Sequence, residues 1–234
     1  MAQNTGNAKN ILVGASPLFL SNIDITTSGY VENAEPGTGD YAYESGISFT
    51  KTLNDIDQTA GEFGYRNVGY TNNGLQVTYN PSYGSVTVDQ LLDTAKLFKE
   101  SMEVMIATEM AEGTLENVLT VFGQRSSTLA PKMAGNVPAS GIAAEDKLGL
   151  AGGALGEAPT ERQLIAVGNA PTSEATATER VYYARRVLSV QQSQFSLARN
   201  AASTFPVTFR LLPSGMSANA GQEYGFIVDR VLTV

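Results

Sequence analysis

Asn54-Asp55-Ile56-Asp57 brings acidic and amide oxygens close together in a loop, the raw material of a cation site. Calcium loops need more oxygen ligands and a glycine turn in a fixed register, so these residues read as a solvated turn. Gly152-Gly153-Ala154-Leu155-Gly156 has the glycine content of a phosphate-cradling loop. No Lys-Ser/Thr pair follows it and no clear strand precedes it, and that loop needs both. Glu109 with Glu112, or Asp89 with Asp93, would supply two carboxylates for glycoside chemistry. Nothing in the sequence fixes either separation, and surface carboxylates are common. Arg185 and Arg186 fall on opposite faces of a strand, where they would clamp an anion or, the better reading, form a salt bridge to a neighbouring subunit. The chain has no histidine and no cysteine. That removes the usual general base near neutral pH, Ser-His triads and the commonest metal ligand, together with disulfides, thiolate chemistry and Cys-ligated zinc. No catalytic residue, metal or cofactor is assigned, and the chain is expected not to be an enzyme.

What remains is architecture, and Met102 to Gly123 organises it. Val104, Ile106, Thr108 and Met110 alternate with Glu103, Met105, Ala107 and Glu109, the period of a strand with one buried face. After Glu112-Gly113 the period changes. Leu115, Val118, Leu119 and Phe122 form the apolar stripe of a two-turn helix, with Thr114 as N-cap, Glu116 in its first turn and Gly123 at its C-cap. So short a helix must lay its stripe on something else, and the open edge or end of a β-structure made by the rest of the chain is the expected partner.

Around this unit the chain reads as strands and loops. Residues 1–9 form a flexible N-terminal arm, and Asn10 to Val13, Leu18 to Leu20 and Ile23 to Thr27 have strand character. Tyr43 to Leu53 is the clearest amphipathic strand, between loops at Ser28–Asp40 and Asn54–Gly64. Asn73-Gly74 signals a type I′ hairpin turn, and Asn80-Pro81-Ser82-Tyr83-Gly84 a second turn. Asp89 to Lys99 reads equally as a short helix or an extended link. Gln124 to Pro159 is a long Gly/Ala-rich loop, either an arm reaching a neighbour or a mobile surface insertion. Leu164–Val167, Val181–Val190, Phe205–Leu211 and Tyr224–Val234 read as strands, with Pro206 suited to an edge or bulge and the apolar C-terminal residues expected to dock.

The chain's 234 residues, 42% of them apolar, suffice for one large β domain, expected over residues 10–234. No run of about 18 apolar residues suggests a membrane span, and no basic-then-apolar leader is visible, so synthesis and assembly in a cytoplasm are expected. The net charge of −8 argues against tight nucleic-acid binding. Residues 1–123 hold 5 Lys and Arg against 15 Asp and Glu, whereas residues 124–234 hold 10 against 8. That asymmetry suits head-to-tail contacts between copies, or equally is a chance feature of solvated faces.

With a strand running through ATEMAEGTLENVLTVFG into one short helix, and Val86-Thr87-Val88-Asp89-Gln90 upstream, the stretch from Gly84 to Gly123 resembles the major tail tube proteins of long-tailed bacteriophages. The resemblance implies a β-sandwich or partial barrel with one short flanking α-helix, a flexible N-terminal arm and a long loop. It implies a structural virion protein whose homo-hexameric rings stack into the hollow tail tube that conducts DNA into the host without binding it tightly. The implied partners are further copies of the chain, a tape-measure protein, and tail-tip and terminator proteins. Leu115, Val118, Leu119 and Phe122 would pack the helix on the sandwich, and residues 1–9 and 124–158 would make contacts between rings. Arg185, Arg186, Asn10 and Ile11 are candidate subunit contacts. The alternatives are a capsid decoration protein, a tail terminator, or a soluble carbohydrate-binding β-sandwich.

Overall fold

The fold is that of a computed structural model, which describes residues 14, 16–21, 65–90, 93–125, 128–130, 147–156, 159–171, 178–191, 193–197, 199, 202–214 and 220–231. Residues 1–13 and 22–64 lie outside the described residues. With them go the expected arm, Asn10 and Ile11, the strands at Ile23–Thr27 and Tyr43–Leu53, the loop at Ser28–Asp40 and the Asn54–Asp57 turn.

The chain is mainly β. The strands are β1 (Leu18–Ser21), β2 (Tyr65–Asn67), β3 (Thr71–Val86), β4 (Lys96–Met110), β5 (Leu129–Ala130), β6 (Lys147–Leu148), β7 (Arg162–Asn169), β8 (Thr178–Ser189), β9 (Phe205–Leu211) and β10 (Gly225–Val231). One helix, α1 (Leu115–Val121), follows β4. Eight strands form one antiparallel sheet in the order β2-β1-β7-β8-β9-β4-β3, with β10 pairing to β8 beside that path. β5 and β6 make a separate small ladder.

Alternation builds the core. Val104, Ile106, Thr108 and Met110 are all buried on one face of β4. Phe205, Val207 and Phe209 lie opposite Met110, Thr108 and Ile106 on β9, and with Leu211 they are buried too. Leu18 and Leu20 of β1, Leu164 and Ala166 of β7, and Ala184 and Val187 of β8 join the same cluster. Each large apolar side chain so buried contributes about 1.5–3 kcal/mol. The opposite face of β1, β7 and β8 holds a second cluster of Phe19, Ile165, Val167, Val181 and Tyr183, against which Phe226 and Val228 of β10 pack.

Two expected turns are strand instead. Asn73 and Gly74 do take the positive φ of a type I′ turn, 61° and 67°. They do not reverse the chain. The ladder passes from Asn72↔Glu109 to Gln76↔Ala107, so they sit in a bulge of β3, pinned by the Thr108 hydroxyl donating to the Gly74 carbonyl at 2.9 Å. Asn80 to Gly84 lies within β3, with Pro81 opposite Met102. Among the described residues β3 pairs only with β4 and is an edge, where proline's missing N–H costs no ladder bond. Of the two readings for Asp89–Lys99, the described residues form a turn at 89–90 and then the start of β4 at Lys96. Pro206 lies on β9 short of the stretch that pairs with β8, which covers only Phe209 to Leu211.

Candidate functional site

The polar face of the sheet is built rung by rung. Gln76, Ala107 and Thr208 align across β3, β4 and β9, then Thr78, Met105 and Arg210, followed by Asn80 with Glu103 and Ser82 with Ser101. Partners directly opposite in an antiparallel ladder share a face, so these small, mostly uncharged side chains form one continuous surface. Its charges nearly cancel: Arg210 lies 3.8 Å from Glu103, and the Thr208 hydroxyl donates to Gln191 Oε1 at 2.8 Å.

β4 pairs with β9 only over Met105–Met110, yet the β3–β4 ladder continues to Val86↔Lys96. The two strands therefore run past the last β9 rung as a two-stranded arm, on the order of 30 Å long at the usual rise per residue. A register shift at Ser82/Tyr83 sets Ser82 opposite Ser101 and Tyr83 opposite Lys99, leaving Glu100 as the extra residue. Beyond it Tyr83, Lys99 and Leu97 continue the face that carries Val77, Tyr79 and Pro81. The Lys99 ammonium stands 5.8 Å from the Tyr79 ring centroid, consistent with a shared face. This is the core side of the ladder carried beyond the core. Val77, still beside β9 through Ile106, is 47% exposed, and on the arm Tyr79 is 65% exposed, Tyr83 60% and Leu97 64%. On the other face the Phe98 ring covers Gly84, where a Cβ would meet it at 2.5 Å.

α1 is capped as its sequence indicates: the Thr114 hydroxyl accepts from the Asn117 N–H at 3.3 Å, and Gly123 has φ 62°. Its buried residues are Asn117, Leu119, Thr120 and Val121. Of the expected stripe, Leu119 is buried, Val118 packs against the core, Leu115 is half-buried, and Phe122 is 39% exposed beside Phe195. The helix is turned toward a polar anchor. The fully buried Asn117 amide donates to the Val68 and Glu112 carbonyls at 2.8 and 2.9 Å, and its oxygen accepts from Arg66 at 2.6 Å. The sequence signal for this was an Asn inside a short helix, where it is a poor helix former unless its amide is used.

The other sequence candidates lie apart. The Glu112 carboxylate accepts from the Tyr70 N–H at 2.9 Å, Glu109 accepts from Asn72, and Asp93 accepts from the Thr94 N–H; each ties backbone or strand neighbours together. Gly152 to Gly156 is exposed, with Leu155 fully so. Arg185 and Arg186 occupy a bulge, since Arg162↔Val187 gives way to Leu164↔Ala184. Both have partners in their own chain. Arg185 is 1% exposed, donates to the Gln222 carbonyl and stacks near Tyr183 and Phe226. Arg186 makes a two-bond pair with Glu161 at 2.6 and 2.9 Å. A third pair joins β8 to β10: Arg180 and Asp229 are ladder partners bonded at 2.5 and 2.7 Å. The guanidinium holds the Asp229 carboxyl below the usual carboxylate range, and the carboxylate raises Arg180 further above its own.

A cleft of about 170 Å³ is lined by Ser21, Arg66, Glu116, Leu119, Thr120, Leu129 and Arg162. Its arginines are engaged by the fold: Arg66 by Asn117 and Thr120, Arg162 by the Ser21 and Gln124 carbonyls. Among the described residues no three acidic side chains gather as a metal site would require. No helix among them is long and apolar enough to cross a membrane. No protein-family model matches the chain, and no curated protein matches its sequence.

Proposed function

We propose that the chain is a structural subunit of a hollow, self-assembled tube of the kind formed by the major tail tube proteins of long-tailed bacteriophages, acting in a virion tail. The observation that carries this reading is the sheet from β9 through β4 to β3. One face is closed by the core and α1, the other is a continuous polar surface, and the edge strand β3 runs sixteen residues with no second neighbour among the described residues. In the proposed tube the sheets of adjacent copies join edge to edge, which removes the exposed edges. The polar face lines the lumen. Mostly uncharged side chains there, with Arg210 set against Glu103, leave DNA hydrated and mobile, where a basic wall would hold its phosphates. The two-layered core and short flanking helix fit the β-sandwich or partial barrel that such a wall needs.

Negative-stain electron microscopy of the concentrated protein, alone and with an initiating tail-tip complex, tests this. Hollow tubes with a regular axial repeat are expected; failure to polymerise in both conditions overturns it. A second reading, a carbohydrate-binding β protein, draws on Tyr70, Tyr79 and Tyr83, which are 81%, 65% and 60% exposed. Tyr79 and Tyr83 stand on β3 and Tyr70 just before it, and calorimetric titration with oligosaccharides would decide the matter.

A further inference from the structure

We infer that Asn73 is a site of self-modification, at which the exposed bulge of β3 converts an asparagine to aspartate and isoaspartate by cyclising onto the Gly74 nitrogen. The inference is independent of the tube reading and holds for a single copy of the chain.

Asn73-Gly74 is the one Asn-Gly pair in the chain's 234 residues. Glycine matters because its backbone nitrogen is the nucleophile, and no side chain hinders its approach. The fold keeps the pair open. Both residues are exposed, and a Cβ added at Gly74 would meet nothing within 4 Å. The ladder gives them no rung: it passes from Asn72↔Glu109 to Gln76↔Ala107, leaving residues 73–75 opposite Thr108 alone. The other described asparagines are held or hindered. Asn117 is buried and bonded through both its nitrogen and its oxygen, and Asn72 donates to Glu109 at 3.3 Å. Asn67 accepts from the Gly69 N–H at 2.9 Å. Asn80 precedes Pro81, which has no N–H, and Asn169 precedes Ala170, whose Cβ crowds the nitrogen.

The chemistry needs only water and a base in solvent. Loss of the Gly74 amide proton to that base lets the nitrogen attack Asn73 Cγ. The N–Cγ bond forms, the Cγ–Nδ2 bond breaks and ammonia leaves, which closes a succinimide ring. Water then opens the ring without any change of oxidation state. Attack at the side-chain carbonyl gives aspartate; attack at the backbone carbonyl gives isoaspartate, whose main chain runs through Cβ and Cγ and is one atom longer. Either product places a new carboxylate one residue from the Asn72↔Glu109 rung, where like charges repel. The longer backbone of isoaspartate also displaces the Gly74 carbonyl from the Thr108 hydroxyl that pins the bulge. Conversion is one-way, so it marks the age of each copy on the edge strand of the sheet.

The test incubates the full-length chain at a series of pH values, folded and in urea, and follows the tryptic peptide 67–96 by mass spectrometry with fragmentation that separates aspartate from isoaspartate. In the folded chain Asn73 should convert at least about tenfold faster than any other asparagine, and within about tenfold of its own rate in urea. The rate should rise with pH, because the attacking nitrogen must first lose its proton. Asn73→Gln, which would have to close a larger and less favourable ring, should abolish the signal. Converted molecules carry one more negative charge and separate on anion exchange; their amides at Val77 and Thr78 should exchange faster than those of unconverted chain. An Asn73 that stays intact in the folded chain overturns the inference, whether or not it converts in urea. So does conversion no faster than at Asn72, or a rate indifferent to pH. Equal exchange in converted and unconverted chain overturns the effect assigned to the bulge.

Discussion

Removing a buried amide takes a partner from every group it bonded, and at Asn117 there are three: the Val68 carbonyl of the segment after β2, the Glu112 carbonyl after β4, and the Arg66 guanidinium. Asn117→Ala should therefore cost about 2–3 kcal/mol, well above the loss expected for an exposed helix position. Urea denaturation of variant and wild type measures it; a loss under about 0.5 kcal/mol would mean that water replaces the amide. The Arg180–Asp229 pair gives a smaller effect with a definite pH signature. Its side chains are 25% and 49% exposed, so Asp229→Asn should cost less than about 1 kcal/mol at pH 7. The folded carboxyl lies below its unfolded value, mainly through the Arg180 bond. The stabilisation is thus complete above the unfolded value, about 3.9, and is lost as pH falls through the folded one. Variant and wild-type stabilities should converge as the pH is taken below the unfolded value; a gap of constant size across the range would assign the effect to packing.

β10 leaves β8 no room at Gly225. Its φ is 132°, and a Cβ there would stand 1.9 Å from the Tyr183 carbonyl oxygen. Gly225→Ala should destabilise by at least about 1–3 kcal/mol and loosen β10, with faster amide exchange at Ile227 and Val228 than at Ile106; uniform exchange would show that β10 unfolds only with the whole sheet. The elements themselves were legible where one face alone is buried. β4 and β9 were readable because Val104–Met110 and Phe205–Leu211 alternate against a single core, and α1 because its Thr114 cap and Gly123 stop are local devices. The long arm was hidden by its own composition. Asn73-Gly74 and Asn80–Gly84 carry turn chemistry, and only the unbroken partner strand β4 shows that the first is a bulge and the second an edge. Of the helix face, Leu119 is buried and Val118 packs against the core as the apolar period indicated, while the buried anchor Asn117 was hidden because periodicity counts only apolar residues. Arg185 and Arg186 were read as pointing to opposite faces and bridging to a neighbouring subunit; they sit in a bulge, which leaves no mark in the period of β8, and each has a partner within the chain.

At the scale of the whole molecule, the β5–β6 ladder offers a way to test folding and assembly separately. Leu129 pairs with Leu148 and Ala130 with Lys147, antiparallel, and the ladder is held near α1 by Gln124, whose side chain bonds both the N–H and the carbonyl of Ala151. Residues 131–146 can therefore be replaced by an Asn-Gly turn that closes the same register as a two-residue hairpin. Loop closure grows only slowly with length, so the shortening should leave the melting temperature near that of wild type or slightly above it. If the Gly/Ala-rich stretch reaches between rings, as the resemblance to tail tube proteins implies, the shortened chain should fold yet fail to stack into long tubes. Electron microscopy and sedimentation of the same preparation read the two properties separately. Normal tubes would place the inter-ring contact elsewhere on the chain. A folded chain that no longer associates at all would place the contacts between copies in this segment, and a chain that fails to fold would assign the segment to the core that the sheet and α1 share.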